Sequence, residues 1–284
     1  MGTLFVVATP IGNLADITFR AIETLKQVSR IAAEDTRQTR KLLDHYGIST
    51  PLVSCHEHNE QARATEFVEQ LRGGASLAVV TDAGTPLISD PGFRLVRAAI
   101  DAGLPVVPIP GPSAAVAAIS ASGLPVDQFL FAGFLPQKSG QRRRRIEEIA
   151  AESRTVVYYE APHRILEALA DIESALGPDR PVVVARELTK LHEEFLRGPV
   201  AQVRATLAAR PSIKGEITLL VGPAKPSATT TVVPDQIRDE IRALVKAGTP
   251  RMDAIKAVAQ RHGLPKREVY KMVGGSSARL GGAN

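Results

Sequence analysis

The chain of 284 residues contains one cysteine, Cys55, and no tryptophan, and aromatic residues make up 4% of it. A single cysteine excludes an internal disulfide and a cysteine-rich zinc site. So few aromatics exclude the stacking surfaces of RNA-recognition and single-strand-binding folds, and any RNA bound here is held another way. No basic segment followed by an apolar run stands at Met1, and the chain reads as cytosolic. The longest uncharged stretch, 102–126, carries five prolines and three glycines, so it reads as no membrane-spanning helix. Neither a G-x-G-x-x-G nor a Walker A lysine motif occurs, which removes the ordinary dinucleotide and P-loop sites.

What remains is the composition of a folded protein of two or three domains, 44% hydrophobic and 23% charged. The net charge is +5, and all of it lies beyond residue 234, where ten Lys or Arg face five Asp or Glu. Within the balanced remainder, Lys138 and Arg142-Arg143-Arg144-Arg145 form a dense basic cluster. Two basic features are consistent either with binding to a polyanion or with solvated helix faces.

Short apolar runs at 4–8, 31–33, 52–55, 77–80 and 105–109 alternate with helical patterns closed by Gly47, Gly73 and Gly103, and a small-residue helix follows from 113 to about 122. Five strands alternating with helices predict a parallel sheet covered on both faces. A second block restarts at 129–135. It runs through an Arg-rich helix to about 152, a strand at 155–159, a helix at 162–176, strands at 181–185 and 193–196, a helix at 200–209 and a strand at 216–221. The connection between 185 and 193 is too short for a crossover, so this second sheet is expected to be mixed. The expected organisation is therefore an α/β domain at 1–124, a second at 125–223, a linker at 224–234 and a small helical domain at 235–284. In that last domain Asp235 is expected to cap a helix that stops at Gly248, and the pattern suits either a helix-turn-helix or a generic three-helix bundle.

In an α/β sheet, ligands bind beyond the carboxyl ends of the strands. Those loops are rich here: Thr9-Pro10-Ile11-Gly12-Asn13, Glu34-Asp35-Thr36-Arg37, His56-Glu57-His58-Asn59-Glu60, the eleven residues from Asp82 to Gly92, and Pro110-Gly111-Pro112-Ser113-Ala114. The long loop, shaped by Gly84, Pro86, Pro91 and Gly92, suits a ligand held mainly by backbone groups. For the acidic loops, helix capping and a functional site are both open readings. The histidines lack a third ligand at readable spacing, so no metal is expected.

The segments VATPIGNLADITFRA, AEDTR, HEHNE, DAGTPLISDPG, PGPSA, GFLPQK, YYEAPHR, RELTK and KGE follow one another in this order between about residues 4 and 222. Together they resemble the 16S rRNA cytidine 2′-O-methyltransferases of the tetrapyrrole methylase superfamily. The resemblance implies two α/β domains with S-adenosylmethionine in the cleft between them, no metal, and a homodimer acting on 16S rRNA in the assembled 30S subunit. It also implies cofactor contacts from Pro10, Gly84, Thr85, Ile88, Ser113, Ala114, Tyr159 or Glu160, and Ile217. Methylating a ribose hydroxyl requires alignment and removal of a proton. Asp35 and Glu57 are the expected bases, with Lys190, Glu34 and His56 as further candidates. Arg37, Arg164, Arg186 and the run Arg142, Arg143, Arg144 and Arg145 are the candidates for gripping RNA phosphates. The rival readings are a corrin or porphyrin methylase, and a non-catalytic nucleic-acid-binding regulator.

Overall fold

The computed structural model describes residues 1–224, 234–262 and 266–274. Most of the expected linker, residues 263–265, which include the expected helix stop at Gly263, and residues 275–284 lie outside the described residues. The chain divides into two compact units, Met1–Ala224 and Lys225–Asn284.

The first unit opens with five β-strand and α-helix pairs: β1 (Leu4–Val7), α1 (Phe19–Gln27), β2 (Arg30–Ala33), α2 (Thr36–His45), β3 (Leu52–Ser54), α3 (Glu60–Arg72), β4 (Leu77–Val80), α4 (Phe93–Asp101), β5 (Val106–Ile109) and α5 (Ala114–Ser120). The sheet has the order β3-β2-β4-β1-β5, and every pairing in it is parallel. Alternation along β4 explains its burial on both faces. Ala78 and Val80 enter a core with Leu25 of α1 and Leu43 of α2, while Leu77 and Val79 enter another with Phe67 of α3 and Leu95 of α4. The chain moves outward from β1 to β3 and then back across β4 to β5. The loops after β1 and β4 therefore adjoin where the winding reverses, the place such sheets reserve for ligands.

The second sheet comprises β6 (Phe129–Phe134), α6 (Ser139–Glu147), β7 (Thr155–Glu160), α7 (Ile165–Leu176), β8 (Pro181–Arg186), β9 (Glu194–Pro199), α8 (Val200–Ala208) and β10 (Ile217–Val221). Its order is β6-β7-β10-β8-β9. Only β6 and β7 run parallel; the other three pairings are antiparallel. One face packs on α6, α7 and α8 around Tyr158, Ile172 and Val203. The other face receives α5, whose Ala115, Ala118 and Ile119 meet Val157, Val183 and Leu220. Small side chains on α5 let that helix lie close to the sheet.

Three expectations about this block change. Helix α6 ends at Glu147, short of the expected limit near 152, because the chain passes into turns in which Ile149 N–H and Ala150 N–H donate to the Ile146 and Glu147 carbonyls at 3.1 and 3.0 Å. Helix α7 starts at Ile165 because residues 161–164 form a turn closed by Arg164 N–H donating to the Ala161 carbonyl at 3.0 Å. Strand β9 reaches Pro199 because it pairs with β8 along its full length.

The basic cluster on α6 is largely engaged with acids rather than free for a polyanion. Arg142 is buried, with its Nε donating to Asp171 Oδ2 at 2.7 Å and its Nη2 to Glu167 Oε2 at 3.0 Å. Arg143 donates to the same Asp171 at 2.8 Å, and Arg145 pairs with Glu148 at 2.8 Å. Arg142 thus ties α6 to α7 and cannot reach a phosphate. Arg144 is the most exposed of the four, its side chain 85% accessible.

The terminal unit holds α9 (Pro234–Lys246), α10 (Arg251–Arg261) and α11 (Lys266–Gly274) around Ile237, Ile241, Ile255, Val258 and Val269. Helix α9 begins at Pro234, so Asp235 lies in its first turn, bonded to Arg238 at 3.1 Å, rather than serving as its cap.

Truncating one member of a buried ion pair leaves the other charge uncompensated. Asp171→Ala is expected to lower unfolding free energy by about 3 kcal/mol, whereas Arg144→Ala should change it by less than about 0.5 kcal/mol. Urea unfolding of both variants checks the contrast.

Candidate active site

The loops that follow β1 and β4 are joined to each other by backbone. Thr9 N–H donates to the Gly84 carbonyl at 2.9 Å and Gly84 N–H to the Thr9 carbonyl at 3.0 Å. Thr9 is buried, and its hydroxyl donates to the Thr81 carbonyl at 3.0 Å. Gly84 takes a φ of +91°, a conformation that favours glycine. Beyond it, Leu87 and Ser89 stand at φ values of +73° and +69°. Non-glycine residues in this region carry strain, which the surrounding structure must over-determine.

Part of that restraint is Glu60. It is buried, and its Oε1 accepts from the backbone N–H groups of Gly92, Arg94 and Leu95 at 3.1, 2.6 and 3.1 Å. Gly92 stands at the N-cap of α4 and has no side chain to offer, so a carboxylate from α3 supplies the acceptor. The last residue of HEHNE therefore pins the end of the long loop, a role its position in the sequence did not reveal. His56 and Asn59 close their own turn, His56 N–H donating to Asn59 Oδ1 at 2.8 Å.

A cavity of about 370 Å³ lies against these loops, lined by residues of the long loop, the start of α5 and the ends of β6, β7 and β10. Gly84, Thr85, Ile88, Ser113, Ala114, Tyr159, Glu160 and Ile217 all line it. The pairing of β7 with β10 sets Glu160 opposite Ile217 and Tyr159 opposite Thr218. Pro10 instead lines a second cavity of about 380 Å³, which shares Ile11, Ala83 and Glu216 with the first. The first cavity also takes in Asp90, Phe134 and Leu188, which the sequence reading did not single out. Phe134 and Tyr159 meet edge to face, 5.7 Å between ring centres. Glu160 is buried; its Oε1 accepts from Ala161 N–H at 2.7 Å and from the Arg164 guanidinium, while its Oε2 has no partner among the described residues. An unpaired buried carboxylate oxygen at a cavity wall is costly unless a ligand donor meets it.

The sequence profile of the Tetrapyrrole (Corrin/Porphyrin) Methylases matches residues 3–204. The chain belongs to that family. Within it, the chain is 46% identical over 272 residues to the Ribosomal RNA small subunit methyltransferase I of Synechocystis sp., covering 96% of this chain and 97% of the relative. The protein of the same name from Escherichia coli O157:H7 is 47% identical over 273 residues, covering 95% and 94%. Among solved structures, uroporphyrin-III C-methyltransferase from Thermus thermophilus, complexed with S-adenyl homocysteine, shares the fold. Its TM-score is 0.55 at 17% identity, covering 78% of this chain and 97% of that one.

In this family member the polar residues at the sheet edge divide by environment. Asp35 caps α2: Oδ1 accepts from Arg37 N–H at 2.8 Å, and both oxygens hold the Arg37 guanidinium. That hydrogen-bonded arginine lowers the Asp35 carboxyl to about 2, which makes it a weak proton acceptor. The capping reading holds for Asp35, and its expected role as a base falls. Glu57 is exposed in the turn before α3 and lines neither cavity, so it too is no base for a ligand there.

Lys190 Nζ bridges Glu187 Oε1 at 2.8 Å and Glu216 Oε2 at 3.1 Å. Partial burial opposes its charge, but the two carboxylates outweigh burial and raise its pKa. Lys190 is a fixed cation at the wall of the second cavity, not a base. The Lys190 side chain lies across Gly12, where an added Cβ would come within 2.4 Å of its Cγ. Glu187 and Thr189 hold φ values of +53° and +65°, a second strained loop facing the first.

The other two phosphate candidates with low exposure are likewise engaged. Arg164 is held by Glu160, and Arg186 donates to Glu194 at 3.1 Å and to the carbonyls of Lys214 and His192. Arg37, 88% exposed in its side chain, stays at the surface beside Asp35.

One hydroxyl links two acids. Thr81 Oγ1 lies 2.7 Å from Asp90 Oδ2 and 3.0 Å from Glu34 Oε2. A hydroxyl donates one proton, so both contacts are satisfied when one carboxyl brings its own. Burial, with Glu34 and Asp82 nearby, raises Asp90 to about 6 despite the Thr81 bond.

Glu60→Ala leaves three N–H groups of α4 without an acceptor and is expected to cost about 2–4 kcal/mol, with Glu60→Gln losing less; thermal unfolding in parallel checks this. For Asp90 the folded pKa lies above the ordinary carboxylate value. Its stabilising contribution is therefore complete below about pH 4 and lost as pH rises through about 6. Because the group is only half-buried, the loss is expected to be about 1–2 kcal/mol. Urea unfolding at pH 4.5 and 7.5 should show this slope in the unmodified chain and not in Asp90→Asn.

Proposed function

We propose that this chain transfers a methyl group from S-adenosylmethionine to the ribose 2′-hydroxyl of a cytidine in the decoding region of 16S rRNA, acting as a homodimer on the assembled 30S subunit. The observation that carries this reading is near-full-length identity of 46% and 47% to two proteins named Ribosomal RNA small subunit methyltransferase I. The solved tetrapyrrole methylase is only 17% identical and argues for the fold rather than for a tetrapyrrole substrate.

The first cavity fits the donor chemically. When bound, S-adenosylmethionine supplies an electrophilic methyl on a sulfonium cation. Glu160 Oε2 offers an acceptor to an N–H or O–H donor, and Phe134, Ile88 and Leu188 offer apolar walls for its adenine. Asp90, ionised when a cation is near, adds negative potential on the same wall. These groups bind and orient, and the long loop, which contributes Ile88 and Asp90, is itself held by the Thr9–Gly84 bridge and by Glu60.

An RNA substrate is further supported by the charge of the region beyond residue 234, which is net +5. Arg144 on α6 and Arg37 on α2 remain exposed as additional cations.

Labelled methyl supplied as S-adenosylmethionine to 30S subunits lacking the modification, followed by nuclease digestion, should appear as 2′-O-methylcytidine. Label on a porphyrin or corrin acceptor and none on RNA would reverse the assignment.

A further inference from the structure

The second cavity, and not the basic run on α6, carries the marks of an acceptor site. It abuts the first through Ile11, Ala83 and Glu216, so a group in it lies next to a donor held in the other. One wall is α2, where Gln38, Thr39, Lys41 and Leu42 face the space. Arg40 and Lys41 are exposed on that helix and form no ion pair among the described residues, although Lys41 Nζ donates to Gln38 Oε1 at 2.8 Å. Opposite stands Lys190, fixed by two carboxylates. Cations at the rim and on the wall suit a phosphodiester on either side of one nucleotide.

Asp82 is the acid in this cavity whose carboxylate is neither capping a helix nor paired to a cation. Its Oδ1 accepts from Asp35 N–H at 3.0 Å, which fixes the carboxylate while Oδ2 has no hydrogen-bond partner among the described residues. The next residue, Ala83, lines both cavities. The charged groups around Asp82 are Asp35 from the loop after β2, Arg37 from the first turn of α2, and Asp90 from its own loop. Asp82 is exposed, and partial desolvation of its carboxylate, opposed by the Asp35 amide, raises its pKa, the direction that strengthens a carboxylate as a base.

We propose that the nucleotide receiving the methyl group enters the cavity between α2 and Lys190, and that Asp82 Oδ2 accepts the proton of its 2′-hydroxyl. The inference rests on the functional reading above. As the hydroxyl oxygen bonds to the methyl carbon, the carbon–sulfur bond breaks and its electron pair stays on sulfur. The hydroxyl proton passes to Asp82 and from there to water, so charge and atoms balance. The cation edge of α2 holds the flanking phosphates, and the capping pair Asp35–Arg37 serves as the frame that presents the Asp35 amide to Asp82.

The test measures single-turnover methylation of unmodified 30S subunits together with equilibrium binding of S-adenosylmethionine. Asp82→Asn is expected to slow transfer by about 10²–10³-fold with donor and 30S affinities within threefold, and Asp82→Glu to recover part of the rate. The double variant Arg40→Glu, Lys41→Glu is expected to weaken 30S binding at least about tenfold, with donor binding within threefold. Transfer by Asp82→Asn within threefold of the unmodified chain would overturn the proton role, and loss of donor binding by that variant would place Asp82 in the donor cavity instead. Unchanged 30S binding in the double variant would overturn the acceptor surface. An unmodified chain that methylates no RNA would overturn the functional reading itself, an outcome distinct from the others.

Discussion

Two backbone hydrogen bonds between Thr9 and Gly84 fix the geometry on which the rest of the site depends. They join the loops after β1 and β4 at the point where the sheet reverses its winding. Neither bond involves a reactive side chain. Because Gly84 is held at positive φ, the loop beyond it turns back along the sheet edge, setting Ile88 and Asp90 on the wall of the first cavity. Asp82 and Ala83, just before it, are placed at the second. One short bridge thus positions both cavities, and Glu60 secures the far end of the same loop by capping α4. The strain at Leu87 and Ser89 persists because the chain is clamped on both sides of them.

Much of the architecture was legible because it depends on periodicity and punctuation. Alternating apolar runs and glycine stops mark five strand–helix pairs, and the short interval between β8 and β9 leaves room only for a hairpin-like turn. Helix limits were less legible where a turn mimics helix, as at residues 161–164. The loops at the strand ends could be picked out as a group because Gly and Pro cannot sit in those numbers within regular elements. What could not be read was which side chains in them are structural. Glu60 and Glu57 occupy one motif three residues apart, yet one is buried against three amides and the other faces solvent. That difference is set by α4, thirty residues farther on.

The arginine run shows the same limit from the other direction. Four consecutive basic residues on a helix must point to different sides, since each step turns the chain by about 100°. One of them had to face α7, and the acids at Glu167 and Asp171, four residues apart on α7, lie one turn from each other to receive it. A charge run thus overstates the basic surface it produces. Arg164 and Arg186 tell the same story singly, each spent on an internal carboxylate and carbonyls.

The acids that remain near the cavities are then best understood by what neutralises each. Asp35 has Arg37, Glu187 and Glu216 share Lys190, and Glu34 and Asp90 share the Thr81 hydroxyl. Asp82 alone of this group meets only a backbone amide. A carboxylate whose charge is partnered by a guanidinium is stabilised in the ionised form and resists a proton; one held by an amide is oriented at less cost to its basicity. A cationic ligand entering the first cavity would favour ionisation of Asp90 and so leave Thr81 free to donate to either acid. In this arrangement the distribution of partners, more than the number of acids, separates a group that can take a proton from those that hold the loops in place.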